Sequence, residues 1–249
     1  MEERKVAAIS DIHGNRWALE AVLEDIARRQ VDIIVNLGDS LYGPLDPAGT
    51  ARLLRRENIF SIQGNEDRIL HAAGDHSASC LSLGYTRRQL KAEDIAWLKS
   101  LKQTAAVHDL WLCHGTPMRD DEYLLESVGP GGAYLKSIEQ VADLIAAVIQ
   151  PVVLCGHSHV FRHVQTSSGR RVINAGSVGL PAYCDEKPYR HCMESGSPHA
   201  KYALLTGTEA GWAVQFVPVA YDWEAAAKQA HKNGRPDWAT WLQSGWASD

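Results

Sequence analysis

The 249-residue sequence has no apolar run long enough to cross a membrane, and none of its five cysteines forms a C-x-x-C pair. A spanning helix needs about 20 consecutive apolar residues, while disulfide-stapled domains and thiolate zinc sites need paired or regularly spaced cysteines. The sequence therefore argues against a membrane anchor, a disulfide framework and a thiolate metal site. We expect a soluble cytoplasmic protein with reduced cysteines, in which Cys113 and Cys155 end apolar runs and are buried as inert hydrophobic groups.

Basic residues are not in excess either. The chain has 25 Lys and Arg against 30 Asp and Glu, a formal net charge of −5, and its arginine pairs are scattered rather than pooled. Nucleic acids and anionic membranes attract proteins through clustered positive charge, so the sequence gives no strong signal for either partner. The first five residues are mostly charged and precede a β-like run, which does not match an export signal.

Strand-like and helix-like segments alternate at the start of the chain. Residues 5–10, 32–37 and 59–62 are short apolar runs, and residues 17–29 and 46–57 space their apolar residues as helices do. This order predicts parallel strands joined by right-handed crossovers. In such sheets, ligands bind beyond the carboxyl ends of the strands.

The rest of the chain predicts more of both element types. These are helices at residues 69–101, 136–149 and 222–246, one strand at 105–112, and antiparallel hairpins at 161–175 and 201–219. Residues 182–199 are rich in glycine, proline, serine and charge, which leaves open a lid over a site or a mobile surface insertion. Because no repeat or linker is visible, we predict a single domain over residues 1–249, with two sheets and helices outside them.

Side chains suited to metal binding follow five of the strand-like segments. They are Asp11 and His13, then Asp39, then Asn65 with Glu66 and Asp67, then His114, and finally His157 with His159. Each group alone has a local explanation, such as a helix cap or a turn, but five groups at strand ends predict one shared site. If the backbone stays extended, His157 and His159 point to the same side. Three carboxylate or amide oxygens and four imidazoles suit Mn²⁺, Fe²⁺, Zn²⁺ or Ni²⁺.

In order, these groups resemble the pattern of the calcineurin-like metallophosphoesterases, which is D-x-H, G-D, G-N-x-D/E, H and G-H-x-H. A later segment, residues 174–179, is similar to the N-x-G-S-V-G stretch of the bacterial phosphodiesterase-like branch. The resemblance implies an α/β fold, a four-layer α-β-β-α sandwich with two mixed β-sheets. It also implies two divalent metal ions at the strand ends.

The resemblance assigns the ligands residue by residue. It implies one metal held by Asp11, His13 and His159, a second held by Asn65, His114 and His157, and a bridge between them formed by Asp39. Two ions about 3.5 to 4 Å apart share a hydroxide and bind phosphate oxygens, so the implied reaction is in-line hydrolysis of a small phosphate ester or phosphodiester. An aspartate suits the bridge because it offers two oxygens and a negative charge. The choice among Mn, Fe, Zn and Ni and the oligomeric state stay open.

Glu66 departs from the family pattern, in which many members have a histidine that protonates the leaving oxygen. An ionised glutamate has no proton to give, so either its pKa is raised or another acid acts, such as a histidine from residues 182–199. The candidate catalytic residues are Asp39, Asn65, Glu66 and Asp67. Asn15, which matches D-x-H-G-N, either contacts the substrate phosphate or caps the following helix.

Other functions compete with a phosphoesterase. A non-catalytic metal-binding interaction scaffold of the same fold is the alternative, but such a scaffold has no reason to keep seven ligands. A nuclease is disfavoured by the acidic balance. The phosphate-gripping arginine of the protein phosphatase branch, in G-D-x-x-D-R-G, has no counterpart after Asp39.

Overall fold

The computed structural model describes residues 4–72, 80–209 and 211–247, which form fourteen strands and eight helices. The strands are β1 (Lys5–Ile9), β2 (Ile33–Asn36), β3 (Ile59–Ser61), β4 (Thr104–Val107), β5 (Leu110–Cys113), β6 (Glu126–Gly129), β7 (Gly132–Leu135), β8 (Val152–Cys155), β9 (Arg162–Gln165), β10 (Arg171–Asn174), β11 (Ala182–Asp185), β12 (His191–Glu194), β13 (Ala200–Thr208) and β14 (Gly211–Val219). The helices are α1 (Arg16–Arg28), α2 (Pro47–Arg56), α3 (Asn65–His71), α4 (Leu81–Gln89), α5 (Ala92–Ser100), α6 (Ile138–Leu144), α7 (Trp223–Lys232) and α8 (Pro236–Ser244). None of these helices combines the length and the apolar composition that crossing a membrane requires.

The first five-stranded sheet has the order β14-β13-β1-β2-β3. Strands β1, β2 and β3 are parallel, and β13 joins β1 in the antiparallel direction as part of a hairpin with β14. The predicted strand–helix alternation at the start of the chain is therefore confirmed. So is the predicted hairpin within residues 201–219.

The second five-stranded sheet has the order β4-β5-β8-β10-β9. Its inner strands β5, β8 and β10 are parallel, while β4 and β9 run antiparallel to their neighbours at the two edges. The predicted hairpin within residues 161–175 is confirmed as β9 and β10. Both sheets are mixed, as the sequence predicted.

Successive side chains along each strand face different hydrophobic cores, and these cores define the layers of the fold. In β1, Ala7 and Ile9 face a core shared with helices α1, α2, α7 and α8, whereas Val6 and Ala8 face a core shared with the second sheet. In the second sheet, Leu154 of β8 belongs to this inner core, while its neighbours face a third core that includes α6. Because successive strand residues face opposite sides, these cores give the order helix, sheet, sheet, helix. The four-layer α-β-β-α fold is confirmed.

The prediction of one strand at residues 105–112 is wrong. The segment forms two antiparallel strands, β4 and β5, which turn at His108 and Asp109. His108 has a φ of 54°, and this left-handed turn reverses the chain inside a run whose apolar pattern continues on both sides. Periodicity alone does not reveal such a reversal.

The expectation of reduced cysteines is wrong for Cys184 and Cys192, which form a disulfide. They lie directly opposite each other in the β11–β12 hairpin. Strand pairing therefore brings together two cysteines that are eight residues apart in sequence, a spacing that a search for C-x-x-C does not detect. Residues 182–199 are thus a covalently closed hairpin followed by a turn. Cys113 and Cys155 are buried, as predicted.

Candidate metal centre

The loops after the strands hold an unusual backbone conformation at the candidate ligands. Seven non-glycine residues in the described ranges have a positive φ, and five of them are Asp11 (53°), His13 (51°), Asp39 (52°), His157 (69°) and His159 (61°). This conformation costs on the order of 1 kcal/mol or more per residue and persists only where surrounding structure enforces it. Here neighbouring loops do so, since Asp11 N donates to Gly38 O and His13 N donates to Asp39 O, each at 3.0 Å.

Asp11, His13 and His159 form the first group of converging side chains. Oδ1 of Asp11 lies 3.3 Å from Nε2 of His159 and 3.9 Å from Nε2 of His13, and the two Nε2 atoms are 3.1 Å apart. All three side chains are buried. One carboxylate oxygen and two ring nitrogens therefore surround a single point that water does not reach freely.

Asp39, His114 and His157 form the second group. Oδ2 of Asp39 lies 3.1 Å from Nε2 of His114, and the rings of His114 and His157 are 5.1 Å apart. Asp39, His13 and Glu66 each also offer one potential ligand atom, and these three atoms lie within 4.8 Å of one another. Asp39 is thus placed between the two groups.

The two histidines of the H-x-H segment belong to different groups. Extended backbone would have aimed both rings to one side, but His157 and His159 each adopt a left-handed conformation, so strand alternation does not apply. The backbone N–H of His157 donates to Oδ2 of Asp11 at 3.1 Å. This bond ties the segment between the two groups.

Three of the histidine rings are oriented by backbone carbonyl groups. Nδ1 contacts Tyr42 O at 3.1 Å in His13, Leu37 O at 2.8 Å in His114, and Leu180 O at 2.7 Å in His159. A carbonyl oxygen only accepts, so each Nδ1 carries a hydrogen, and Nε2 is the atom that can donate an electron pair to a metal when the ring is neutral. Metal-binding histidines are oriented in this way by their surroundings.

Burial and mutual contact shift the pKa values of these groups. Burial opposes charge on His13, but Glu66, Asp39 and Asp11 outweigh it and raise the pKa of His13 to about 9. Burial also opposes charge on His114, but Asp39 and Asp11 raise its pKa to about 10. The protein alone therefore balances its buried carboxylates with protons on imidazoles. A divalent cation would take over this balance and displace those protons.

Two buried atoms beside Asp39 fit a metal ion. Oδ1 of Asn65 has no hydrogen-bond partner among the described residues, and Nε2 of His114 makes no well-directed hydrogen bond although Oδ2 of Asp39 lies 3.1 Å away. Leaving a buried polar atom unpaired costs about 1–3 kcal/mol, and native structures rarely do so without a reason. A cation between Asn65, His114 and Asp39 would satisfy both atoms, so the donor set fits the metal that the sequence pattern implies.

Glu66 begins the first turn of α3 beside the first group. Its Oε2 lies 3.2 Å from Nδ1 of His13, and its backbone N–H donates to Oδ1 of Asp39 at 2.8 Å. Burial raises the pKa of Glu66 to about 7, which agrees with one of the two explanations that the sequence left open.

Asp67 has a different environment. Its Oδ1 accepts from the backbone N–H of Ser40 at 2.9 Å and of Leu41 at 3.3 Å, and its Oδ2 accepts from that of Gly64 at 3.3 Å. The carboxylate therefore joins the loop after β2 to the loop after β3. Asp67 fixes the loop that carries Asp39 and is a positioning residue in this geometry.

Asn15 caps helix α1, one of the two roles that the sequence allowed. Its Oδ1 accepts from Ala18 N at 3.1 Å, and its Nδ2 donates to Gly179 O at 2.9 Å and to the hydroxyl of Tyr221 at 3.2 Å. The side chain is fully buried. Its contact with a substrate stays a prediction.

A cavity of about 280 Å³ opens beside the two groups. Apart from the site residues, it is lined by Tyr42, Tyr123, Leu180, Tyr183, Cys184, Asp185, Arg235, Trp238 and Trp241. Trp238 and Trp241 lie about one turn apart in α8, and nothing local in the sequence indicates that they reach a cavity. Only the tertiary fold brings α8 and the β11–β12 hairpin to this edge of the sheets.

The chain is similar in sequence and fold to known proteins. Residues 5–194 match the calcineurin-like phosphoesterase superfamily domain. An uncharacterized protein of Methanocaldococcus jannaschii is 27% identical over 255 residues, covering 96% of each chain. The crystal structure of a metallophosphoesterase from Sphaerobacter thermophilus superposes with a TM-score of 0.77 and 27% identity, covering 98% of this chain and 100% of that one.

A hypothetical protein from Pyrococcus horikoshii has the same fold, with a TM-score of 0.75 at 19% identity, covering 98% of this chain and 99% of that one. The match to the superfamily domain covers most of the chain, including every candidate ligand. Members of this family hydrolyse phosphate esters with the help of metal ions. The chain therefore belongs to the calcineurin-like phosphoesterase superfamily and is a phosphate-ester hydrolase.

Proposed function

We propose that the protein is a dinuclear phosphoesterase that hydrolyses small phosphate esters or phosphodiesters by in-line attack of hydroxide. The observation that carries this proposal is the position of Asp39 between two groups of buried nitrogen and oxygen donors. One ion would be held by Asp11, His13 and His159, the other by Asn65, His114 and His157, with Asp39 on both. Mn, Fe, Zn or Ni suits such a donor set.

When bound, two divalent ions supply the positive charge that polarises phosphate oxygens and lowers the pKa of water. The protein side chains hold this charge in place. The Glu66 N–H fixes one oxygen of Asp39, and Asp67 fixes the loop behind it. Asn15 holds the start of α1 against Gly179, and both hydrogens of its amide are engaged, by Gly179 O and the Tyr221 hydroxyl, so it supports the site as a positioning residue.

The cavity supports a small substrate. Its volume of about 280 Å³ lies just below the range of about 300–1,000 Å³ that is typical of small-molecule sites. Tyr42, Trp238 and Trp241 give it an apolar wall, while Arg235, which is paired with Asp237, adds a guanidinium group. These features favour the ester group of a small molecule over the surface of a folded protein.

Metal reloading tests the proposal. Protein stripped with a chelator and reloaded with Mn²⁺ should regain hydrolysis of bis(p-nitrophenyl) phosphate or p-nitrophenyl phosphate. Asp39→Asn should lower kcat/KM by at least about 100-fold. Residues that only hydrogen-bond to a metal ligand change metal affinity or activity by about 10–100-fold when mutated, and a ligand shared by both ions should matter at least as much. Asp121→Asn, a change at an exposed ion pair, is the matched control and should keep full activity.

Two results would contradict the proposal. Failure to bind any divalent metal would remove its basis. Tight metal binding without hydrolysis of any ester would favour the non-catalytic scaffold.

A further inference from the structure

A chain of hydrogen bonds runs along one wall of the cavity. The hydroxyl of Tyr183 lies 3.0 Å from the carbonyl oxygen of His157 and 2.5 Å from the hydroxyl of Tyr123, which in turn lies 2.9 Å from Nε2 of His191. Nδ1 of His191 lies 2.8 Å from the carbonyl oxygen of Tyr189. His191 is only 4% exposed. A buried imidazole is thus connected through two hydroxyls to a candidate metal ligand.

Counting hydrogens assigns a protonation state to this chain. The carbonyl oxygens of Tyr189 and His157 only accept, so His191 Nδ1 and the Tyr183 hydroxyl must donate to them. Because the hydrogen of Tyr183 is used in this way, the Tyr123 hydroxyl donates to the Tyr183 oxygen. The contact between the Tyr123 oxygen and Nε2 of His191 is then a hydrogen bond only if Nε2 carries a hydrogen. All four contacts are made when His191 carries both ring hydrogens. In neutral His191, one of the four is left without a hydrogen.

Tyr123 brings this proton to the reacting region. Tyr123 and Tyr183 line the cavity together with His157 and His159, and the Tyr123 ring lies 4.7 Å from that of His157. Among the described residues of the cavity wall, Tyr123 is the one whose hydroxyl has a buried imidazole behind it. Glu66, at the position of the family's usual acid, is engaged with His13 instead.

We propose that His191 and Tyr123 protonate the leaving-group oxygen, an inference that rests on the proposed function. As the bond between phosphorus and the leaving oxygen breaks, the Tyr123 hydroxyl gives up its hydrogen bond to Tyr183 and transfers its proton to that oxygen. The Tyr123 oxygen takes the Nε2 proton of His191 in the same step. His191 is left neutral, with its Nδ1 hydrogen still on Tyr189, and regains a proton from water after the products leave.

One acidic residue is the strand partner of His191. Asp185 lies directly opposite His191 across the β11–β12 hairpin, and such cross-strand neighbours interact. Strand β7, which also contacts β12, has no charged residue in Gly132–Leu135. On the far side of Tyr123, the Lys136 amino group donates to Tyr123 O at 2.6 Å and also contacts Glu126 O, so its charge is engaged with carbonyl oxygens.

Leaving groups of different basicity provide the test. A nitrophenolate ion leaves without a proton, whereas an alkoxide needs one, and a positioned acid contributes about 10²–10⁴-fold. In Mn²⁺-loaded enzyme, His191→Gln should lower kcat for glycerol phosphate and glycerophosphoethanolamine by at least about 100-fold. Its kcat for p-nitrophenyl phosphate and bis(p-nitrophenyl) phosphate should stay close to that of the wild type. Tyr123→Phe should behave in the same way.

Controls separate chemistry from folding. Glutamine at position 191 can still form hydrogen bonds, and thermal unfolding should confirm that both variants fold. His199→Gln, a change at a histidine that contacts Trp223 instead, is the matched control and should leave both substrate classes unchanged.

Other outcomes would overturn the inference. Equal losses on aryl and alkyl esters would show a purely structural role for His191. A wild-type enzyme that hydrolyses aryl esters but no alkyl ester would show that no acid acts, while the proposed function would stand. Absence of hydrolysis with every ester would instead refute the proposed function itself.

Discussion

Gly64 lies directly against the carboxylate that we assign as the bridge between two metals. A β-carbon at this position would lie 2.2 Å from Oδ1 of Asp39 and 2.5 Å from Asp39 N, whereas ordinary contact begins at 3.4 Å. Gly64→Ala must therefore move the Asp39 carboxylate by about 1.2 Å, the difference between 3.4 and 2.2 Å. The φ of Gly64 is −96°, which alanine adopts freely, so the clash accounts for the whole effect.

This displacement is large for a metal ligand, because coordination distances are held to within about 0.2 Å. Mutating a residue that hydrogen-bonds to a metal ligand weakens metal binding by about 10–100-fold, and we expect Gly64→Ala to weaken Mn²⁺ binding by more than this. Overpacking should also lower the free energy of unfolding by about 1–3 kcal/mol. Titration against a competing chelator and urea denaturation measure the two effects. Gly131→Ala, where a β-carbon meets nothing within 4 Å, is the control. Unchanged metal affinity in Gly64→Ala would refute this placement of Asp39.

Three further predictions concern stability. Tyr202→Phe removes the buried hydroxyl that donates to Asp25 at 2.7 Å. The free energy of unfolding, measured by urea denaturation, should fall by about 1–2 kcal/mol. An unchanged urea midpoint would contradict this bond. Burial lowers the pKa of Lys201 from 10.5 to about 8, so between pH 8 and 10.5 the unfolded chain binds a proton that the folded chain lacks. The free energy of unfolding of the wild type should therefore rise with pH in this range relative to that of Lys201→Met. A difference between the two proteins that does not change with pH would argue against this burial. Serine at both Cys184 and Cys192 should cost about 2–3 kcal/mol, as expected for a short closed loop, and equal unfolding of oxidised wild type and variant would contradict the disulfide.

The parallel strands and the residues at their ends could be predicted because both signals are local. Short apolar runs followed by glycine and polar residues mark strand ends, and parallel topology brings those ends to one edge. The groups at Asp11, Asp39 and His114 were found in this way. The resemblance to a known family then supplied their division between two metals, which spacing alone leaves open.

The left-handed backbone of the ligand loops could not be predicted. Aspartate and histidine adopt this conformation more often than most non-glycine residues, but only in a minority of cases, and here bonds between distant loops enforce it, such as that from Asp11 N to Gly38 O. The walls of the cavity were missed for a related reason. Trp241 lies more than 80 residues after the last candidate ligand, and Tyr123 lies in an irregular segment between β5 and β6 with no motif to mark it, so only packing shows that both line the cavity.

Anomalous diffraction from Mn²⁺-loaded crystals tests the dinuclear site most directly. The wild type should show two Mn²⁺ peaks, one beside Asp11 and His13 and one beside Asn65 and His114, with Asp39 between them. His157→Ala should keep the first peak and lose the second, and His159→Ala should do the reverse. A single wild-type peak, or loss of both ions in each variant, would contradict the division of the ligands between two metals.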